Sequence, residues 1–217
     1  MASTKLLLIR HGETDDNKNR VFQGQGGSGL NARGREQAKR LAARMAGPER
    51  VHLHVLYCSD LLRARETADI VGQALELSPT PEPGLREVNL GAWQGLDEDA
   101  IADRFPEEWE AWRSGLDIKR GGGESYAEVK ERVAGTIERI VHQHRGKVIG
   151  AVSHGAAIKV FVAHVLGLPL DRLRSFMAPA NTALNLVEIG ERGSRLVLWN
   201  DAAHLRDPLI EALCAPP

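Results

Sequence analysis

The strongest constraint on this chain is a pattern that occurs three times: a short apolar run that ends abruptly in a polar cluster carrying arginine, serine or histidine. Leu6-Leu7-Leu8-Ile9 runs into Arg10-His11-Gly12-Glu13-Thr14, Val55-Leu56-Tyr57-Cys58 into Ser59 and then Arg63, and Val148-Ile149-Gly150-Ala151-Val152 into Ser153-His154-Gly155. Apolar runs without polar alternation are strands covered on both faces, the habit of parallel sheets. They predict strands over 5–9, 54–58 and 148–152.

Helical patterns fill the gaps between these strands. Residues 32–45 follow Asn31 as N-cap, 62–75 follow the second strand, and 126–144 follow Ser125 with Glu128 in capping-box position. A further helix over 156–166 stops at Gly167 before Pro169. Strands alternating with helices imply a three-layer α/β/α sandwich with a mainly parallel central sheet. Segments 182–189 and 195–199, joined through Gly190 and Gly193, read as a closing hairpin. Residues 97–115 read as one or two short helices interrupted at Pro106, and 97–123 as a helical cap over the sheet's end. The glycine-rich stretches 23–29 and 121–123 read as the loosest parts of the chain. At 217 residues the expectation is one domain over 1–217, with a frayed tail at Cys214-Ala215-Pro216-Pro217.

Global charge excludes some partners. With 28 Lys and Arg against 29 Asp and Glu, nothing advertises nucleic acid or a membrane surface, so any anion site is built locally. Two cysteines, Cys58 and Cys214, make no disulfide framework, and the first apolar run ends too early for a signal peptide or a membrane span. A cytoplasmic location fits.

In open α/β sheets the ligand lies beyond the carboxyl ends of the strands. There the three strands deliver two imidazoles, His11 and His154, and two guanidiniums, Arg10 and Arg63. Two fixed cations in a cleft call for an anion, and guanidinium matches phosphate in a bidentate way. An imidazole among them can attack phosphorus in line while the arginines hold the equatorial oxygens.

Leu8-Ile9-Arg10-His11-Gly12-Glu13-Thr14 resembles the signature of the histidine phosphatase superfamily, which includes the cofactor-dependent phosphoglycerate mutases. Further elements follow in the family's order: Ser59 to Ala68, Leu85-Arg86-Glu87, Gly122-Gly123-Glu124-Ser125 and Val152-Ser153-His154-Gly155. The resemblance implies a phosphoglycerate mutase-like fold and no cofactor or metal. It implies that His11 becomes a phosphohistidine, that Arg10, Arg63 and His154 hold the phosphoryl oxygens, and that Glu87 protonates the leaving oxygen and then activates water. Asn17, Gln23 and Gly24 match positions that contact phosphate or substrate in relatives. A helix opening after Gly155 would add a positive dipole end. A homodimer is common in the family.

Where mutases carry an Arg, a Tyr and a Lys after the acid, this chain has Val88, Leu90 and Glu98 or its acidic neighbours. The resemblance therefore points to the phosphatase branch, acting on a small phosphorylated metabolite. Phosphoglycerate mutase and a non-catalytic phosphate-binding relative are the alternatives. Other chemistries fit poorly. Cys58 lacks an Arg six residues on, the spacing of a cysteine-dependent phosphatase, and reads as a core residue. His52 with His54 and His142 with His144 lack a third metal ligand. Ser153-His154 lacks a nucleophile elbow. Among the tryptophans, Trp93, close to Glu87, is the best substrate platform, the rest being packing residues.

Overall fold

The computed structural model describes residues 3–206 except Glu49 and Arg192. The expected frayed tail lies outside the described residues. Six strands form one sheet: β1 (Thr4–Arg10), β2 (Val55–Cys58), β3 (Thr80–Pro81), β4 (Val148–Ser153), β5 (Leu184–Gly190) and β6 (Gly193–Asp201), in the order β3-β2-β4-β1-β5-β6. The first four run parallel, and β5 and β6 close one edge antiparallel. The sheet is thus mainly parallel, with the expected hairpin at its end.

Strand β1 shows why the sequence folds this way. Leu6 and Leu8 face one apolar cluster while Leu7 and Ile9 face the other, so period-two side-chain alternation drives the strand into the middle of two cores. After the one-turn α1 (Asp15–Lys18), on one side lie α2 (Ala32–Ala46) and α3 (Leu62–Leu75), which pack Leu41, Met45, Val71 and Leu75 against Ile9, Leu56 and Cys58. On the other lie α6 (Tyr126–Gln143) and α7 (Gly155–Val165), with Ile137, Ile140, Val160 and Phe161 against Leu6, Leu8 and Ile149. Truncating a side chain as enclosed as Leu41 would cost about 2–5 kcal/mol.

Local chemistry sets the boundaries. The Asn31 side chain accepts from Gly34 N, and Ser125 and Glu128 complete a reciprocal capping box. Between β3 and α6 the chain forms two short α-helices, α4 (Glu98–Arg104) and α5 (Pro106–Arg113). Pro106 begins the second of them, where its missing N–H costs nothing. Trp93, Trp109, Trp112 and Phe22 interlock with ring centroids 5.1–6.3 Å apart and fasten these helices to the chain just past the His11 motif.

The glycine-rich stretches are tied down rather than loose. The carbonyls of Gly24 and Gly26 accept from the Arg63 guanidinium, and Gly121 N donates to Glu108. Gly121, at φ +56, lies so close to Leu90 and Ala92 that a Cβ would overlap their backbone.

Candidate active site

His11 is the first residue past β1 and is 3% exposed. Its Nδ1 lies 2.7 Å from the Gly12 carbonyl oxygen. A carbonyl only accepts, so Nδ1 carries the hydrogen and Nε2 keeps its lone pair. Burial, then Arg63, then Arg10 push the ring's pKa well below its ordinary 6.5, against the Gly12 hydrogen bond, so the imidazole is neutral at pH 7. The backbone beside it is clamped. Gly12 N donates to Thr67 Oγ1 at 3.0 Å, Glu13 N to Gln37 Oε1 at 2.9 Å, and Gly34 of α2 lies so near Glu13 that a Cβ on it would overlap the Glu13 carbonyl oxygen.

His154 is the first residue past β4 and is fully buried, its ring centroid 5.1 Å from that of His11. Ser59, just past β2, holds its Nε2 at 2.8 Å, while Nδ1 has no hydrogen-bond partner in the protein. Burial first, then Arg63, lowers its pKa well below 6.5 as well.

Among the described residues neither arginine is neutralised by a direct carboxylate contact. Arg10 donates to the Pro179 carbonyl at 2.7 Å. Arg63 donates to the carbonyls of Gly26 at 2.7 Å and Gly24 at 2.6 Å. Each keeps a buried Nε–H with no partner. Burial lowers both pKa values and Glu87 opposes this, but a guanidinium stays charged.

Arg10, His11, Asn17, Gln23, Gly24, Arg63 and Glu87 line one cavity of about 180 Å³. Asn17 Oδ1 already accepts from Thr14 N and Asn181 Nδ2, so its own amide N–H group is the part left for a ligand. Gln23 is buried with Oε1 unpartnered. The Gly24 carbonyl is taken by Arg63, which makes this residue a support for the guanidinium. Gly155 opens α7, where an added Cβ would come within 3.5 Å of the Arg10 guanidinium, and it does not line the cavity.

The Glu87 carboxylate sits at the α7 N-terminus. Oε1 accepts from Ala157 N at 3.0 Å and Val88 N at 2.9 Å, and Oε2 from Ala156 N at 3.1 Å. Its loop is held by a residue the sequence reading passed over. Arg132 of α6 donates to the carbonyls of Gly84, Arg86 and Glu87 and pairs with Glu124 at 2.8 Å through two nitrogens. Asn181 was also missed. It donates to the His11 carbonyl at 3.0 Å, and no motif marks it. Trp112, Arg120 and Tyr126 also line the cavity. Trp93 does not reach it. That ring is fully buried in the aromatic cluster, so Trp112 is the tryptophan at the site.

Cys58 is buried among apolar side chains, and burial raises its thiol to about 11. His144 bonds Tyr57 and His54 accepts from Val148 N. Among the described residues no group of three or more His, Cys, Asp or Glu is arranged to hold a metal ion, and no helix is long and apolar enough to cross a membrane.

Known proteins resemble this chain in sequence and fold. The family model of the histidine phosphatase superfamily (branch 1) matches residues 6–202. Phosphoserine phosphatase 1 of Hydrogenobacter thermophilus is 31% identical over 209 residues, 96% of this chain and 97% of its own. GpmB of Escherichia fergusonii, a probable phosphoglycerate mutase, is 33% identical over 219 residues, 96% of this chain and 98% of its own. The structure of Bacillus stearothermophilus YhfR is similar with a TM-score of 0.87 at 31% identity, covering 94% of this chain and 100% of that one. With the family model spanning nearly its whole length, the chain belongs to the histidine phosphatase superfamily.

Proposed function

We propose that the protein is a phosphomonoesterase that works through a phosphohistidine at His11 on a small phosphorylated metabolite, without a metal. One observation carries this reading. The lone pair of a neutral, tautomer-fixed His11 shares a cavity with two arginines whose Nε–H groups have no partner among the described residues. A phosphoryl group satisfies those donors, and positioning plus charge stabilisation is most of what phosphoryl transfer needs.

In the first step Nε2 attacks phosphorus, the ester P–O bond breaks, and Glu87 gives a proton to the departing oxygen. Of the four carboxylate lone pairs, backbone N–H groups occupy three, so the fourth, on Oε2, is where that proton rides. In the second step water attacks phosphorus, Glu87 takes its proton, and the P–N bond breaks to release inorganic phosphate. Val88 and Leu90, both buried, give apolar cavity wall where mutases grip a second charged group, which favours water as acceptor. Similarity to a phosphoserine phosphatase supports a hydrolase. A cytoplasmic, dimeric enzyme is the accompanying expectation.

Purified protein treated with chelator should release phosphate from p-nitrophenyl phosphate. Rapid quench should trap acid-labile, alkali-stable phosphate on His11, and His11→Ala should lose about 10²-fold or more of the rate. With 3-phosphoglycerate, accumulation of 2-phosphoglycerate instead of phosphate would point to the mutase. A fully folded protein with no turnover between pH 5 and 8 would point to a binding module.

A further inference from the structure

Ser59 is the first residue past β2 and is fully buried. Its hydroxyl can donate one hydrogen and accept at its oxygen. Leu61 N already donates to that oxygen at 3.3 Å. The only other hydrogen-bond partner of the hydroxyl among the described residues is His154 Nε2, at 2.8 Å. Burial, then Arg63, keeps the His154 ring neutral at pH 7, so it carries a single hydrogen, and the bond at one nitrogen decides the state of the other.

Two arrangements are open to such a ring. If Nε2 carried the hydrogen and donated to Ser59, the hydroxyl hydrogen would lack an acceptor and Nδ1 would be a bare, buried lone pair without a donor. If Ser59 donates to Nε2, the hydroxyl is satisfied and Nδ1–H is the one group left over. The second arrangement leaves one unsatisfied group instead of two, and that group is a donor, which an anionic oxygen can satisfy.

We infer that Ser59 is a positioning residue: its hydroxyl donates to His154 Nε2, places the ring hydrogen on Nδ1, and so makes His154 a donor to an oxygen of the phosphoryl group at His11. This rests on the reading of the His11 cavity as a phosphomonoesterase site. Both imidazoles then carry their hydrogen on Nδ1 and use opposite nitrogens. On His11 the Gly12 carbonyl takes Nδ1–H and frees Nε2 to attack, whereas on His154 the Ser59 hydroxyl takes Nε2 and frees Nδ1–H to hold an oxygen. With ring centroids 5.1 Å apart, one phosphoryl group spans the two.

Nitrogen-15 spectra of histidine-labelled protein read this directly, because hydrogen-bearing and bare ring nitrogens resonate far apart, and the His154 signals are those lost in His154→Gln. In wild type at pH 7 the hydrogen should sit on His154 Nδ1, and saturating inorganic phosphate should shift that nitrogen. Ser59→Ala should mix or reverse the tautomer and lower kcat/KM on p-nitrophenyl phosphate roughly 10- to 100-fold, the range for one charge-assisted hydrogen bond. Ser59→Thr, which keeps the hydroxyl, should restore both. A wild-type ring with its hydrogen on Nε2, or doubly protonated at pH 7, overturns the inference without any variant. So does a Ser59→Ala protein that loses activity with the wild-type tautomer intact, since Ser59 would then serve only the fold, or one that changes tautomer and keeps full activity. If wild type fails to turn over p-nitrophenyl phosphate, the phosphatase reading fails separately. The tautomer and the phosphate-induced shift then decide alone, and a His154 Nδ1 signal unmoved by bound phosphate overturns the contact.

Discussion

Replacing Arg132 by glutamine should separate the acid of this site from its nucleophile. The Arg132 side chain is 24% exposed and Glu124, its partner, 21%. Breaking a fully buried pair costs about 3–5 kcal/mol, and partial exposure reduces that to roughly 2–3 kcal/mol. For a chain of this size each kcal/mol lowers Tm by about 2–4 °C, so thermal unfolding should shift down by roughly 4–12 °C. The catalytic effect comes from the three carbonyls of Gly84, Arg86 and Glu87 losing their donor. A misplacement of about 1 Å at a reacting group costs on the order of 10²-fold. An alkyl phosphate leaves as an alkoxide and needs a proton from Glu87, whereas p-nitrophenolate departs as a stable anion. The variant should therefore lose roughly 10- to 100-fold in kcat/KM on glycerol 3-phosphate and distinctly less on p-nitrophenyl phosphate. Equal losses on both substrates would show that Arg132 merely supports the fold. No loss on either would refute the positioning of Glu87 by this residue.

Two further outcomes follow from packing and charge. His11 and His154 are held well below 6.5 by burial, and His204 is lowered to about 4, also chiefly by burial. Because the unfolded chain takes up these protons first, their contribution is complete above pH 6.5 and is lost as pH falls toward the folded values. The two enclosed rings, His11 and His154, each contribute up to about 1.4 kcal/mol per pH unit and the half-buried His204 much less, so urea unfolding between pH 6 and 5 should lose up to about 3 kcal/mol, and a flat profile would contradict the burial of these rings. Gly34→Ala should destabilise by roughly 1–2 kcal/mol and cut activity about tenfold or more. Overpacking against the Glu13 backbone outweighs the gain of about 1 kcal/mol in helix propensity, and a variant more stable than wild type would overturn this contact.

The parts of this molecule visible in the sequence are those with a local signature. Leu6 to Ile9 announces a strand buried on both faces, Ser125 and Glu128 announce a helix start, and residues just past parallel strands announce a site. Strand β3 was invisible because it is two residues long and one is Pro81. Arg132 and Asn181 were invisible for a different reason. Each acts through partners brought together by the fold, such as Asn181 with His11, 170 positions away. Charged residues on a polar helix face read as solvated until the loop they clamp is seen. Trp93 was misjudged for the same reason, since proximity in sequence to Glu87 says nothing about which ring points at the cavity.

The aromatic quartet of Phe22, Trp93, Trp109 and Trp112 divides the enzyme's labour. The two imidazoles of the proposed chemistry sit just past strands of the sheet, whereas Trp112, which lines the same cavity as His11, comes from a separate helix, Pro106–Arg113, pinned on through those rings. A lineage could therefore rewrite what this enzyme accepts by exchanging one short segment, leaving the attacking group and its cations as they are.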